Sequence, residues 1–300
     1  MDVDTIIDQV VASLNQGPEI DLGLSIAKRF KAKPSLETLW AVVDDAWLQC
    51  GCDNLRLDEK AIALFYSHPV WILNGLFTEA DPASMAYRRA IAASVSTLDP
   101  KQVLDFGGGF GTLARLLADS LPQAEIAICE PYPPRHGIES CKLFANIRFV
   151  PELSSQSVDV LVSTDVLEHV PDPLALLAAM VDAVRPSGHL FIANCFYPVV
   201  LCHLPCTFHF RYSFDSFCRA LGLEVLGPCT GSHATIYRRA HVMEPDWPRL
   251  RAMERRSQQL FPWREWKASH LSPWGQRARL AVTQPLHYPR KLARALRAAG

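Results

Sequence analysis

Between residues 100 and 242, short runs of β-branched residues alternate with segments that repeat apolar residues at helical spacing. Such alternation is typical of β-α-β units, in which helices connect parallel strands and cover the sheet. The pattern therefore predicts an α/β domain over residues 100–242. The predicted strands are residues 102–106, 125–129, 147–150, 158–163, 189–195, 223–228 and 234–240.

The regions on either side of this domain have a different pattern. Residues 1–99 repeat apolar residues at helical spacing, so we expect a helical region that forms a lid over a substrate. Residues 243–300 are rich in Arg, Trp and Pro. They predict a C-terminal extension with one helix at about 247–260, irregular chain, and a last helix near 289–299.

Charge is unevenly distributed along the chain. The net charge is −1, yet residues 238–300 contain 14 Lys or Arg and only 4 Asp or Glu. A basic segment of this kind binds nucleic acid or an acidic partner, or packs on the acidic body of its own chain. We favour the last interpretation and do not expect a nucleic-acid partner. A homodimer, in which the segment packs on a second subunit, is left open.

Other features of the composition indicate a cytoplasmic protein without a metal site. No run of about 18 apolar residues is present, so we expect no membrane span. Residues 1–4 are acidic where a secretion signal would be basic. The nine cysteines suggest no disulfide framework, and the pairs Cys50–Cys52 and Cys202–Cys206 match zinc patterns poorly. We therefore expect reduced thiols and no bound metal.

A glycine-rich segment follows the first predicted strand and begins the next helix. Glycines at such a position allow a sharp turn and let a ligand approach the main chain, at the edge where open α/β sheets bind ligands. The dinucleotide pattern G-x-G-x-x-G fails because Thr112 occupies its last position, and no Gly-Lys-Ser/Thr of a P-loop follows. Instead Gly107, Gly109 and Gly111 form G-x-G-x-G, with Asp105 two residues ahead.

An acidic residue ends the second predicted strand. Glu130 lies about 20 residues beyond the glycines. A carboxylate at that position can accept hydrogen bonds from both ribose hydroxyls of a nucleoside. The alternative is that Glu130 is a solvated loop residue. Because the glycine motif precedes it, we favour ribose binding.

A third segment runs from the fourth predicted strand into a helix cap. Asp165 falls just beyond the strand end, so we expect it to face the ligand crevice. If the following turn is helical, His169 lies on the same side, four residues on. Both residues are therefore candidates for the catalytic site.

The glycine motif, Glu130 and the segment Asp165–Pro173, which reads D-x-L-E-H-x-x-D-P, together resemble the class I S-adenosylmethionine (SAM)-dependent methyltransferases, particularly the small-molecule enzymes. The resemblance covers about residues 100–240. It implies a Rossmann-like sheet of seven strands, the last of them antiparallel. It also implies that SAM is the cofactor, and that Glu130 holds its ribose hydroxyls.

The same resemblance suggests roles for further residues. It implies that Asp105 and the loop 107–111 hold the methionine end and the ribose edge of SAM. Thr164 and Asp165 would border the methyl group. In relatives, a residue of the helix before the first strand often contacts SAM, which points to Tyr87 or Arg88 here.

The acceptor side is expected after the fifth predicted strand. The segment 195–212 is dense in aromatic and titratable side chains. His209 and Tyr212 are candidates for acceptor binding or proton transfer, with His203 next. The alternative is that all three are ordinary packed or solvent-facing residues.

These observations favour a SAM-dependent methyltransferase that acts on a small molecule, in natural-product biosynthesis for example. Two alternatives remain. One is an enzyme that consumes SAM differently, by cyclising its aminobutyryl chain. The other is a SAM-binding module without catalysis.

Overall fold

A seven-stranded sheet forms the centre of the computed structural model, which describes residues 35–271. The strands are β1 (Gln102–Phe106), β2 (Glu125–Cys129), β3 (Ile147–Val150), β4 (Val158–Thr164), β5 (Val184–Ala193), β6 (Leu223–Pro228) and β7 (Thr235–Arg239). Their order in the sheet is β3-β2-β1-β4-β5-β7-β6, and only β7 runs antiparallel to its neighbours. The predicted Rossmann-like sheet with an antiparallel last strand is confirmed.

Nine helices surround the sheet in this part of the chain. They are α1 (Leu36–Gln49), α2 (Glu59–Tyr66), α3 (Val70–Ala80), α4 (Pro82–Ser96), α5 (Thr112–Ser120), α6 (Arg135–Cys141), α7 (Pro173–Ala183), α8 (Phe214–Ala220) and α9 (Trp247–Leu271). Short 3₁₀ segments lie at Leu167–His169 and Pro205–Tyr212. Helical regions at both ends of the α/β domain are thus confirmed for the described residues. Residues 1–34 of the predicted N-terminal region and the predicted helix near 289–299 lie outside the described residues.

Both faces of the sheet are buried, as the short β-branched strands predict. Neighbouring residues of a strand point to opposite faces. Val103 packs with Ile91 of α4 and Leu117 of α5, whereas Leu104 joins the core formed with α7 and α8. The sheet is therefore the middle of three layers.

Helices α1 to α3 form a smaller core of their own. It joins them to Phe110 of the glycine-rich loop and to Leu204 beyond β5. The N-terminal region therefore packs over the carboxyl end of the sheet, where the loops after β1 and β5 lie.

Three strands differ from the prediction in their bounds: β4 ends one residue later, at Thr164, β7 is one residue shorter at each end, and β5 differs most. Strand β5 begins at Val184, five residues early, because Val184 passes from α7 into the ladder and pairs with Val158. It ends at Ala193 rather than residue 195, because the main-chain N–H of Cys195 donates to the carboxylate of Glu168 instead of to a strand.

Helix α9 is longer than the predicted segment 247–260. It continues to Leu271 with Pro262 inside it. Proline has no N–H and usually interrupts a helix, yet Pro262 lies inside α9. Contacts of α9 with the 3₁₀ segment Pro205–Tyr212 hold its second half in place, including an ion pair between Arg211 and Glu265.

None of the helices in residues 35–271 is both long and apolar enough to cross a lipid bilayer.

Candidate active site

Strands β1 and β4 are neighbours in the sheet, although β2 and β3 separate them in sequence. The chain therefore leaves the carboxyl ends of β1 and β4 toward opposite halves of the sheet. In open α/β folds such a switch point opens a crevice that binds ligands. The glycine-rich loop follows β1, and Asp165 follows β4.

The glycine-rich loop has the left-handed backbone conformation that favours glycine. The φ angles of Gly107, Gly109 and Gly111 are 71°, 49° and 69°. A Cβ at Gly107 would lie 2.4 Å from Val166, and one at Gly111 would lie 2.4 Å from the sulfur of Cys141. A Cβ at Gly109 would meet no atom within 4 Å. Gly109 therefore borders open space, while the other two glycines are packed.

Glu130 contacts this loop directly. Its Oε2 accepts a hydrogen bond from the main-chain N–H of Gly109 at 3.1 Å, and its Oε1 accepts one from Tyr132 at 3.1 Å. Strand β2 brings the two together because it pairs with β1 in register, Phe106 beside Cys129. The two strongest sequence signals thus meet at one place.

Asp105 is the buried carboxylate of the crevice. Its residue is 1% exposed, and its Oδ2 has no hydrogen-bond partner among residues 35–271. Burial raises the pKa of Asp105 to about 7, although Arg88 opposes this rise. An unpartnered buried carboxylate oxygen is costly, and a ligand donor or cation at this position would relieve that cost.

The end of β4 contributes Thr164, which is half-buried, and Asp165, whose φ is 55°. The Asp165 carboxylate lies 3.4 Å from Nε2 of His233. Burial raises the pKa of Asp165, but the hydrogen bond and charge of His233 outweigh it and hold that pKa below its usual value. The pKa of His233 rises in turn: burial opposes the rise, but the bond to Asp165 prevails.

Helix α4 adds two side chains beside Asp165. The ring of Tyr87 packs edge-on against His233, with centroids 5.2 Å apart. Arg88 is close enough to Asp165 and Asp105 for their charges to act on its guanidinium; burial lowers the pKa of Arg88 and these carboxylates oppose that change. Positively and negatively charged side chains therefore both line the crevice.

The 3₁₀ turn after β4 places His169 near Asp165, as a helical turn would. The two side chains interact electrostatically: burial lowers the pKa of His169 to about 3, His203 adds to this, and Asp165 opposes it. The Tyr66 and Trp71 rings of the N-terminal helices pack edge-on against His169. His169 thus lies where the helical region meets the end of β4.

His209 and Tyr212 have a different setting. Both lie in the 3₁₀ segment that packs on α9. His209 is 3% exposed and packs against the ring of Phe210, and the main-chain oxygen of His209 accepts from Ser257 of α9. The hydroxyl of Tyr212 donates to Glu265 at 3.0 Å. The contacts of both residues are thus with helix α9 and its neighbours.

The structure therefore divides the predicted site residues into two groups. One group gathers at the carboxyl ends of β1, β2 and β4, with Tyr87 from α4 beside it: Tyr87, Asp105, Gly107, Gly109, Gly111, Glu130, Thr164, Asp165 and His169. His209 and Tyr212 form the other. For both groups, the roles of these residues in binding or catalysis stay predictions.

Three residues of the site escaped prediction or were given less weight. His233 precedes β7, and no local signal connects it with Asp165. Arg88 was indicated only by its position in the helix before the first strand. Glu168 stands inside the D-x-L-E-H segment, so the segment itself was the signal. The prediction that the chain has no metal site also stays untested.

Comparison with known proteins connects this geometry to a family. Residues 83–226, just under half of the chain, match the model of the family described as "Methyltransferase domain". The match begins in α4 and ends in β6, so it includes the glycine-rich loop, Glu130 and the end of β4.

Curated relatives carry a related description. The ubiquinone biosynthesis O-methyltransferase of Nitrosococcus oceani is 26% identical over 154 residues, which are 47% of this chain and 64% of that protein. Its namesake from Vibrio cholerae is 25% identical over 132 residues, 41% of this chain and 54% of that protein. The chain thus spans between about half and two thirds of the length of these relatives.

Solved structures of similar fold include human N-acetylserotonin methyltransferase in complex with SAM, at 16% identity and a TM-score of 0.49. The alignment covers 73% of this chain and 70% of that one. An O-methyltransferase family protein from Burkholderia thailandensis has 18% identity and a TM-score of 0.47, with 71% and 75% covered.

The seven-stranded sheet with its antiparallel β7 and the family match over residues 83–226 agree with each other. Residues 83–226 are thus similar to a methyltransferase domain, and the sheet has the seven strands and the antiparallel last strand that the resemblance implies.

Proposed function

We propose that this chain transfers a methyl group from SAM to a hydroxyl oxygen of a small-molecule acceptor. The hydrogen bond between Glu130 and Gly109 is the observation that carries the proposal. It brings a carboxylate suited to ribose hydroxyls onto the loop whose open side faces the crevice.

The residues around the crevice fit SAM. Glu130 would hold the ribose hydroxyls. Gly109 would let the nucleoside approach the main chain, since a Cβ at this position would have no atom within 4 Å. The unpartnered Oδ2 of Asp105 would face the positively charged methionine end. Arg88 or Tyr87 of α4 would contact the same end.

SAM supplies a methyl group that its sulfonium already activates. What remains for this chain is to align the acceptor, exclude water and take up the acceptor's proton. The stacked rings of Tyr66, Trp71 and Tyr132 would exclude water, since they connect the N-terminal helices to the loop after β2. In this proposal the described part of the N-terminal region, residues 35–99, acts as the cover of the site.

The choice of an oxygen acceptor rests on the curated relatives, which are named O-methyltransferases. A role in natural-product biosynthesis belongs to the same proposal. Of the predicted catalytic residues, Asp165 and His169 lie at the end of β4, where the methyl group would be, and we assign them to the acceptor side. His209 and Tyr212 contact α9 instead and have the weaker case.

Two other functions share the same cofactor site. A SAM-cyclising enzyme would need no second substrate, and a binding module would need no turnover. Incubation of the full chain with SAM, alone and with a set of phenolic and aliphatic hydroxyl compounds, separates them by mass spectrometry. We expect S-adenosylhomocysteine only with an acceptor. Methylthioadenosine from SAM alone would favour cyclisation, and binding without any product would leave the binding module.

The remaining predictions concern setting and partners. Cytoplasmic location, the absence of a nucleic-acid partner and the homodimer stay proposals. For the basic segment, Arg238, Arg239 and Arg251 form ion pairs with acidic residues of the same chain, which supports packing on its own body.

A further inference from the structure

Three side chains with metal-binding atoms come together beside the crevice. Each of Glu168, His169 and His203 offers one ligand atom, and these atoms all lie within 4.8 Å of one another. Glu168 and His169 belong to the 3₁₀ turn after β4, and His203 lies in the segment after β5. The two segments are joined by the main chain, since the N–H of Leu204 donates to the carbonyl of Glu168.

Main-chain carbonyls determine the tautomer of both histidines. Nδ1 of His169 lies 3.1 Å from the carbonyl of Cys202, and Nδ1 of His203 lies 2.6 Å from that of Tyr197. A carbonyl only accepts, so in each ring Nδ1 carries the proton and the lone pair of the neutral ring is on Nε2. This arrangement is the one that typically orients a histidine for metal ligation.

Glu168 is completely buried, at 0% exposure. Its Oε1 accepts from the N–H of Cys195, and its Oε2 has no hydrogen-bond partner among residues 35–271. A buried carboxylate in this position needs either a proton or a cation.

We propose that Glu168, His169 and His203 bind one divalent cation of the zinc class. Two imidazoles and one carboxylate suit zinc and similar transition metals better than magnesium or calcium. Ligands about 2.1 Å from a tetrahedral zinc are about 3.4 Å apart. The ligand atoms lie within 4.8 Å of one another, so they approach one another by up to about 1.4 Å on binding.

The position of this cluster suggests that the metal binds the acceptor. This role rests on the proposed function. Three protein ligands leave a coordination position open, as in catalytic rather than structural zinc sites. Asp165, which directly follows β4, is close enough to the cluster for its charge to act on Glu168 and His169. The open position would take the acceptor hydroxyl, whose pKa a bound cation lowers.

Cobalt and zinc binding to the full chain tests the site. We would purify the chain without a metal-affinity step, strip it with a chelator, and titrate it with CoCl₂ and ZnCl₂. We expect one equivalent per chain, visible Co²⁺ absorption, and affinity weakened at least tenfold in Glu168→Gln and in His203→Gln. The double variant Glu244→Gln, His241→Gln changes exposed residues and serves as the matched control with unchanged affinity.

Substoichiometric binding at micromolar metal, or equal affinity in all variants, would overturn the site. If the substitutions prevent folding, X-ray absorption of the Co²⁺-loaded natural chain decides. We expect two imidazoles and oxygen ligands, whereas thiolate sulfur at about 2.3 Å would assign the metal to the cysteines.

Calorimetry of SAM with the metal-free chain keeps this inference separate from the proposed function. SAM binding without metal binding would remove the metal site and leave the methyltransferase proposal. Metal binding without SAM binding would remove the methyltransferase proposal and leave the metal site.

Discussion

The carboxylate of Glu130 and the main-chain N–H of Gly109 are joined by a hydrogen bond of 3.1 Å, although 21 residues separate them. The bond connects the end of β2 to the loop after β1. It also aligns the carboxylate with the side of the loop that borders open space. The candidate nucleoside site is therefore organised by the protein's own contacts.

Replacing Glu130 by Ala should weaken SAM binding by about 1–3 kcal/mol, or about 5- to 150-fold, because a charged acceptor of two hydroxyls is lost. Titration calorimetry measures this. Glu244→Ala, at an exposed position, should bind like the natural chain. Unchanged affinity in a folded Glu130→Ala variant would contradict the assignment of Glu130 to the ribose.

Substitutions at two glycines should separate binding from folding. Gly109→Val should abolish SAM binding, because its side chain enters the crevice, and should cost only about 1–2 kcal/mol of stability for its positive φ. Gly111→Ala should lose about 2–4 kcal/mol, because its Cβ would lie 2.4 Å from the Cys141 sulfur. Urea unfolding and calorimetry on both variants check this. Normal SAM binding by Gly109→Val would contradict a ligand at that place.

Local sequence determined the parts of the fold that were predicted well. Strands β1, β2, β3 and β6 have the predicted bounds, because short β-branched runs between turn residues have few alternative structures. The approach of Glu130 to the glycine loop follows from the same logic. Adjacent parallel strands end at one edge, so residues just beyond β1 and β2 meet.

Long-range contacts determined what could not be predicted. Glu265 holds Arg211 and Tyr212 from more than 50 residues away, and α9 passes through Pro262 to reach them. No pattern near Tyr212 reveals that partner. Likewise, the end of β5 depends on the Glu168 carboxylate, 27 residues before Cys195.

SAM affinity should rise with pH through the range in which Asp105 ionises. Burial raises the pKa of Asp105 to about 7, so the empty site is largely protonated below that value. A cationic ligand prefers the carboxylate, and affinity should therefore increase several-fold between about pH 6 and 7.5. Calorimetry across this range tests the slope. Asp105→Asn should bind more weakly with a flat profile, and a falling profile in the natural chain would contradict the contact.

Tyr212→Phe should reduce stability by about 1 kcal/mol and leave turnover within about twofold. The hydroxyl donates to Glu265, and burial, then Glu265, raise the pKa of Tyr212 to about 12, which makes ionisation harder. Urea unfolding and turnover with the acceptor found in the product screen provide the two measurements. A loss of more than 100-fold in turnover with normal stability would restore Tyr212 to the catalytic site.

His209→Phe should make stability less dependent on pH while turnover persists. Burial, and then the charge of Arg264, lower the pKa of His209 to about 4, so the folded chain keeps this ring neutral. In the unfolded chain the ring takes up a proton near pH 6.5. The unfolded state therefore binds more protons between about pH 6.5 and 4, and stability falls as pH drops through that window, by about 3 kcal/mol for this group.

Urea unfolding at several pH values should show the slope of His209→Phe reduced by up to about 1.4 kcal/mol per pH unit. His169, with a pKa of about 3, contributes in the same direction and remains in the variant. The exposed His241→Phe should match the natural chain. An unchanged slope in His209→Phe would contradict the lowered pKa of His209. Lost turnover in a folded His209→Phe variant would restore His209 to the catalytic site.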